Sequence, residues 1–142
     1  MPLLFVYGSL KQGFANEHVN TGRRVPGQYR TMERYALYLL GPGEVPCLVS
    51  PAGDGHQVIG EVYEVSDEHL VRIDRLERLG EPEGYERVEF AVERFDGSPV
   101  APLRVFVYVR QAHSIAASVE RIGPLPEYQQ EHAVRFHWRG AS

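Results

Sequence analysis

The chain has 142 residues, of which 43% are hydrophobic and 24% charged, and its formal net charge is −4. These values are typical of a soluble single domain, and the scattered basic residues argue against a nucleic-acid surface. No apolar run approaches the roughly 20 residues that span a bilayer, and the first residues lack the features of a secretory signal. The single cysteine, Cys47, excludes an internal disulfide. We therefore expect a cytoplasmic protein without nucleic-acid or membrane partners.

The first element in chain order is an apolar strand, at residues 3–7, which runs directly into a glycine-containing loop. Gly8 and Gly13 have the spacing of a phosphate-binding loop. That loop needs Lys and then Ser or Thr directly after its second glycine, whereas Phe14 and Ala15 stand there. The three closely spaced glycines of a dinucleotide site are also absent. The sequence therefore predicts a loop with a different role.

The elements that follow are mostly strands. Residues 11–22 are polar and predict a loop with one short helical turn. The sequence predicts strands over 28–40, which is rich in Tyr and Leu, over 56–65, which alternates, and over 85–95 and 103–109, while residues 45–50 form a short apolar run. Strands that pair over long sequence separations, with few helices, predict an α+β fold. We expect a single small domain, residues 1–142, whose mixed sheet curls into a partly closed β-barrel flanked by a few short helices.

The tail, residues 111–142, has the weakest pattern in the chain. Residues 113–121 predict a short helix that the following Gly-Pro-Leu-Pro segment ends. A flap and an oligomer contact are both open as roles for the tail. The sequence does not determine the oligomeric state.

The helix predicted at residues 67–79 begins after Ser66, a good N-cap residue that two acidic residues follow. Three apolar side chains form one stripe along it: Leu70, Ile73 and Leu76. Glu77 projects onto the same stripe. A carboxylate that faces a core is costly unless it is paired or protonated. Glu77 is therefore either a structural carboxylate with a buried partner such as Arg87, or a general acid/base whose pKa desolvation has raised.

Other chemistries have weak signals. The six histidines are dispersed, so we expect no metal site. Cys47 lies in an apolar run and is predicted to be a core residue. Ser9 lacks the flanking glycines of a nucleophile elbow. Four tyrosines are, by default, packing residues: Tyr7, Tyr63, Tyr85 and Tyr108.

Together these segments resemble a known family, the γ-glutamylcyclotransferase-like proteins, and are most similar to the γ-glutamylamine cyclotransferases. The matching segments, in order, are FVYGSLKQG, VPCLV, GEVYEV, IDRLE, YERV and VFVYVR. The resemblance covers residues 3 to about 110 and leaves the tail outside.

The resemblance implies an enzyme that cleaves a γ-glutamyl amine or peptide by internal cyclisation, releasing 5-oxoproline and a free amine without a cofactor. It places the catalytic glutamate at Glu77. It implies a substrate-binding loop formed by Tyr7, Gly8, Ser9 and Leu10, whose backbone N–H groups would bind the substrate's α-carboxylate. Tyr85 and Tyr108 are further candidates for contact with this small-molecule substrate.

Two departures from the family pattern leave alternatives open. Leu76 replaces the usual aromatic residue before the glutamate, and the segment 80–84 is longer than expected. That segment contains Glu81 and Glu83, so a register shift would move the catalytic role to one of these acids.

The alternative function is a non-catalytic protein that binds a γ-glutamyl or carboxylate ligand on the same fold. A third possible function is that of a structural partner protein that acts through its tail. For the enzyme, the sequence does not identify the amine that leaves the substrate.

Overall fold

The core of the protein is a closed barrel of five strands in the computed structural model, which describes residues 1–82, 84–97, 101–134 and 136. In barrel order the strands are β1 (Leu3–Val6), β6 (Ile59–Glu64), β3 (Tyr29–Thr31), β7 (Glu86–Arg94) and β8 (Leu103–Gln111). A parallel pairing of β1 with β8, at Leu4 and Phe106, closes the ring. The α+β prediction with a sheet curled into a barrel is therefore confirmed.

Three further strands extend the sheet beyond the barrel. They are β5 (Val45–Ser50), β4 (Ala36–Leu40) and the two-residue β9 (Arg121–Ile122). A separate short strand, β2 (Arg23–Arg24), pairs with β6 of the barrel. Strand β8 pairs with β1 at Phe106 but with β5 at Arg110 and Gln111. Because β8 changes its neighbour between these points, the chain that leaves β1 lies beside the place where the sheet divides.

The two faces of β8 contribute to two separate hydrophobic clusters. Val105, Val107 and Val109 are buried inside the barrel, whereas Tyr108 lies on the face that the helix covers. This alternation is the period of two expected of a strand. The packing of the helix on the outer face of β8 brings the helical C-terminus to the place where the sheet divides.

The single α-helix of the described residues, α1, runs over Asp67–Leu76. Ser66 caps it as predicted, since its hydroxyl accepts the amide of His69 at 3.0 Å. The helix ends three residues earlier than predicted because Arg78 adopts a left-handed conformation, with φ of +55°. The amide of Leu79 then donates to the carbonyl of Asp74 at 3.0 Å, which completes a Schellman cap. No helix in the described ranges is long and apolar enough to cross a membrane.

Two other sequence predictions need correction. The strand predicted over 28–40 is two strands, β3 and β4, because the chain turns after Thr31. The Thr31 hydroxyl donates to the carbonyl of Glu33 at 2.6 Å and accepts the amide of Val58 at 2.9 Å, which fixes that turn. The helix predicted over 113–121 is wrong, since only a 3₁₀ turn at Ala112–Ser114 forms. The short helical turn predicted within 11–22 is confirmed at Glu17–Val19.

The described part of the tail folds back over the barrel as a strap, which we define as residues 121–133. It begins with β9, which pairs with β4, and the amide of Leu125 donates to the carbonyl of Leu37 at 2.8 Å. The amide of Ile59 in β6 then donates to the carbonyl of Pro126 at 2.9 Å. The strap therefore crosses from β4 to β6 and reaches the loop that follows β1.

Candidate active site

Glu77 is the C-cap residue of α1, and its side chain is only 1% exposed. The amide of Tyr85 donates to the carbonyl of Glu77 at 2.9 Å, so the two ends of the intervening segment meet. Gly84 makes this possible, because a Cβ there would lie 1.8 Å from the carbonyl oxygen of Arg78. The segment that seemed too long is thus a compact turn that leaves Glu77 beside the start of β7.

The turn contains the two acids that a register shift would substitute for Glu77. Glu81 is exposed to solvent, whereas Glu83 lies outside the described residues. The buried carboxylate at this end of the helix is Glu77, which agrees with the helical projection. The helical rotation persists as far as Glu77 because its amide still donates to the carbonyl of Ile73, four residues earlier, at 2.9 Å.

The charge of Glu77 acts on three buried titratable groups. Burial, and to a smaller degree the charge of Glu77, raises the pKa of the Tyr7 and Tyr85 hydroxyls well above the usual value. Burial likewise raises the pKa of the Cys47 thiol to about 12, with Glu77 adding to the shift and the Arg110 guanidinium opposing it. The two phenols and the thiol on which the charge of Glu77 acts are therefore neutral.

The glycine-containing loop after β1 is completely buried, and its Leu10 belongs to the same hydrophobic cluster as Leu70 and Ile73 of α1. Tyr7, Ser9 and Leu10 are each 0% exposed. A backbone hydrogen bond closes the loop, because the amide of Lys11 donates to the carbonyl of Gly8 at 3.1 Å. Asn16 makes two further hydrogen bonds to the loop. Its backbone amide donates to the Ser9 carbonyl at 2.8 Å, and its side-chain amide donates to the Ser9 hydroxyl at 2.9 Å.

Two backbone amides of this loop, those of Gly8 and Leu10, are the donors to consider for a ligand. Neither the Gly8 amide nor the Leu10 amide donates to an acceptor in the part of the chain that the structure describes. Buried backbone N–H groups without an acceptor are rare in folded proteins. Successive amides of this kind form a concave binding site for an anion, for which a carboxylate is suitable.

Three tyrosines predicted to contact substrate have their hydroxyls engaged by the protein. The Tyr7 hydroxyl donates to the carbonyl of Tyr108 at 2.8 Å and accepts the amide of Leu48 at 3.1 Å. The Tyr85 hydroxyl donates to the carbonyl of Pro46 at 2.8 Å. The Tyr108 hydroxyl lies 2.5 Å from an oxygen of Asp74. Contact with substrate through their rings stays a prediction.

An ion pair attaches the last turn of α1 to the sheet. Arg87 of β7 contacts both carboxylate oxygens of Asp74, at 2.9 and 2.7 Å, and its guanidinium lies over the ring of Phe106 at 5.1 Å from the centroid. Asp74 also accepts the Tyr108 hydroxyl. Because Asp74 is three residues before Glu77, this clamp fixes the position from which Glu77 enters the core.

Sequence reasoning missed one charged neighbour of the site. Arg110 is half-buried, and its charge lowers the pKa of both Cys47 and Tyr85 against the larger effect of burial. Its one signal in the sequence is its place at the end of the VFVYVR segment. Within the described ranges there is no cluster of three or more His, Cys, Asp or Glu side chains that could hold a metal ion.

The fold and the site together define a class of protein: a small α+β barrel with a buried acid at a helix end and a buried loop in which two backbone amides have no acceptor among the described residues. The model of the family "Gamma-glutamyl cyclotransferase, AIG2-like" matches residues 4–130. The chain belongs to this family. The match continues beyond residue 110, where the sequence resemblance ends, and includes most of the strap.

Individual relatives agree with the family assignment. The chain is 37% identical to a γ-glutamylaminecyclotransferase of Bos taurus over 74% of its own length and 63% of the relative's. It is 32% identical to the Mus musculus γ-glutamylaminecyclotransferase over 80% and 81% of the two chains. The crystal structure of a Mus musculus AIG2-like protein superposes with a TM-score of 0.80, at 28% identity, over 100% of this chain and 99% of that one.

Proposed function

We propose that this protein is a γ-glutamyl cyclotransferase that releases 5-oxoproline and a free amine from a γ-glutamyl amine or peptide. The observation that carries the proposal is the burial of the Glu77 carboxylate, 1% exposed, near a loop whose Gly8 and Leu10 amides are directed to no acceptor in the described chain. A general acid/base and an anion-binding loop are the two parts that this reaction needs.

The reaction is an intramolecular acyl transfer. The neutral α-amine of the γ-glutamyl unit attacks its own γ-carbonyl carbon, which forms the lactam C–N bond, and the original amide C–N bond breaks. Glu77 takes one proton from the attacking amine and delivers it to the departing nitrogen. Atoms balance without water, metal or cofactor, so none is required in this proposal.

The loop of Tyr7, Gly8, Ser9 and Leu10 provides orientation. Its amides would bind the α-carboxylate, which fixes the substrate by the end that carries the attacking amine. A five-membered ring closes only when that amine and the γ-carbonyl are held together, and such preorganisation contributes strongly to the rate. The raised pKa of Tyr7 and Tyr85 keeps both phenols neutral, so they add no negative charge that would compete with the substrate.

The proposal includes a cytoplasmic location, a small-molecule γ-glutamyl substrate, and no nucleic-acid or membrane partner. The single cysteine of the chain, which is buried as a free thiol, is compatible with the reducing compartment that this proposal assumes.

The test is a panel of γ-glutamyl compounds incubated with the protein, with 5-oxoproline and free amine both quantified. Equal amounts of the two products, formed catalytically from at least one compound, are the expected result. Tight binding of the compounds without any 5-oxoproline would instead favour the alternative, a γ-glutamyl or carboxylate binding protein on the same fold.

A further inference from the structure

Lys11, the residue that follows the glycine-containing loop, is the only lysine in a chain whose Lys and Arg residues together number 15. It is 4% exposed, although lysine is rarely buried in proteins. Burial lowers the pKa of its ammonium group, which reflects the cost of taking that charge out of water. A lysine at such a place, in a chain that otherwise uses arginine, indicates a role for the compact ammonium group itself.

The ammonium group of Lys11 ties the loop to the strap. It donates to the carbonyl of Tyr128 and lies over the ring of Phe14, 4.7 Å from the centroid. The Phe14 ring in turn packs on the Tyr128 ring, with centroids 5.3 Å apart. One carbonyl and one ring face suit a single compact cation, whereas the five-donor fork of a guanidinium needs more acceptors than these.

A second contact joins the same two segments. The side chain of Gln130 donates to the carbonyl of Gly13 at 2.8 Å. The strap is itself attached to the sheet, because its backbone is bonded to Leu37 of β4 and to Ile59 of β6. The loop is therefore connected to the sheet twice, through β1 at one end and through Lys11 and the strap at the other.

Lys11 also closes the loop to which the Gly8 and Leu10 amides belong. Its amide donates to the carbonyl of Gly8 at 3.1 Å, so its backbone and its side chain are fixed to different segments. Because neighbouring peptide planes share a Cα atom, a displacement of Lys11 changes the direction of the Leu10 amide. The binding of an anion by backbone amides depends on that direction.

We propose that Lys11 is a positioning residue: by tying the glycine-containing loop to the strap, its ammonium group holds the Gly8 and Leu10 amides in the direction that binds a substrate carboxylate. This inference rests on the proposed function, in which this loop binds the α-carboxylate. It also gives the described part of the tail a role, the support of this loop. Because the carboxylate is bound alike in the substrate and in the transition state, misplacing the loop raises KM more than it lowers kcat.

The first experiment compares the parent with Lys11→Met, which keeps an unbranched stem and removes the ammonium group. The variant is expected to raise KM, and the dissociation constant of 5-oxoproline, by about tenfold, the effect of one charge-assisted contact. Its kcat should stay within about threefold of the parent's. Arg24→Gln is the control, because Arg24 contacts the same segment through the Gln12 side chain, at 3.0 Å. Equal losses in both variants, or a fall in kcat alone in Lys11→Met, would overturn the inference.

Hydrogen exchange separates positioning from a general loss of stability. The Leu125 and Ile59 amides make backbone bonds of the strap, at 2.8 and 2.9 Å. 5-Oxoproline should slow their exchange in the parent and not in Lys11→Met, because the loop and the strap are coupled through Lys11. The Phe95 amide, bonded to the Gln28 carbonyl at 3.2 Å, is the reference for global stability. Relative to that reference, equal slowing in both proteins or slowing in neither would overturn the inference.

Binding and turnover together distinguish this inference from the proposed function. If the parent binds 5-oxoproline with the stated dependence on Lys11 but cyclises no γ-glutamyl compound, the proposed function fails and the positioning role stands. If the parent cyclises a substrate and Lys11→Met has the same KM, the inference fails alone. Should Lys11→Met not fold, Gln130→Ala replaces it, since it removes the exposed contact with Gly13. Gln130→Ala should raise KM by a smaller factor, and an unchanged KM in that variant would overturn the inference.

Discussion

The side chain of Tyr7 binds the backbone of Tyr108, with the hydroxyl of the first 2.8 Å from the carbonyl oxygen of the second. The same hydroxyl accepts the amide of Leu48. The hydroxyl therefore bridges β8 and β5 just before the residues at which these two strands pair, Arg110 and Val49. Tyr7, which leads into the glycine-containing loop, thus also joins β8 to β5.

Tyr7→Phe is expected to destabilise the protein by about 2 kcal/mol, because it leaves a buried amide and a buried carbonyl without their partner. Urea unfolding followed by circular dichroism measures the change. Tyr29→Phe is a matched control, since it removes one bond of 3.3 Å, and it should cost less. Equal costs for the two variants would show that the Tyr7 hydroxyl does not bridge the strands.

Asp74→Asn should destabilise the protein by about 1–3 kcal/mol, because it weakens charge-assisted bonds from Arg87 and a short bond from Tyr108. Glu89→Gln alters the exposed pair with Arg104, and its effect should stay within about 1 kcal/mol. Denaturant midpoints for both variants give the comparison. Similar midpoints would show that the contacts of Asp74 with Arg87 and Tyr108 do not stabilise the protein.

The stability of the protein should fall as the pH is lowered below 6.5, partly through His69. Burial, and then the charge of Arg72, lowers the pKa of His69. The unfolded chain therefore takes up a proton at a higher pH than the folded protein does, and stability is lost from pH 6.5 down to the folded pKa. Protonation would also break the bond in which the ring accepts the Thr21 amide.

His69→Gln should remove that component of the acid sensitivity, whereas His113→Gln, which changes an exposed histidine, should not. Denaturant unfolding of both variants and the parent at pH 7 and pH 5 isolates the effect. The same loss of stability in all three proteins would exclude His69 as its source.

A ligand with a carboxylate should bind the loop at the Gly8 and Leu10 amides. We expect 5-oxoproline to shift these two amide resonances in NMR spectra, since they are the donors directed to no acceptor in the described chain. The lactam 2-pyrrolidinone lacks the carboxylate and is the matched control, so it should shift them far less. Shifts confined to another surface would count against the loop assignment.

The helical periodicity was sufficient to predict that Glu77 faces the core, even though the helix ends one residue before it. The barrel was also predictable in outline, since the segments predicted as strands contain β1, β6 and β7 and most of β8, four of its five strands, although the turn that separates β3 from β4 was missed. The strap was not predictable, because its main contacts are backbone bonds to distant residues, such as Leu125 with Leu37, and these leave no local pattern. Arg87 was expected as a partner for Glu77, and the structure pairs it with Asp74.

Cyclisation by the parent and by Glu77→Gln, on a substrate from which the parent releases 5-oxoproline, tests the central claim most directly. Glutamine keeps the shape of the side chain but cannot transfer a proton, so turnover should fall by roughly 10²- to 10⁴-fold while the loop still binds 5-oxoproline. Glu81→Gln, at the exposed acid of the same turn, should retain activity. Full turnover by a folded Glu77→Gln variant would contradict the account, and loss of folding in that variant would make Glu77 a structural carboxylate.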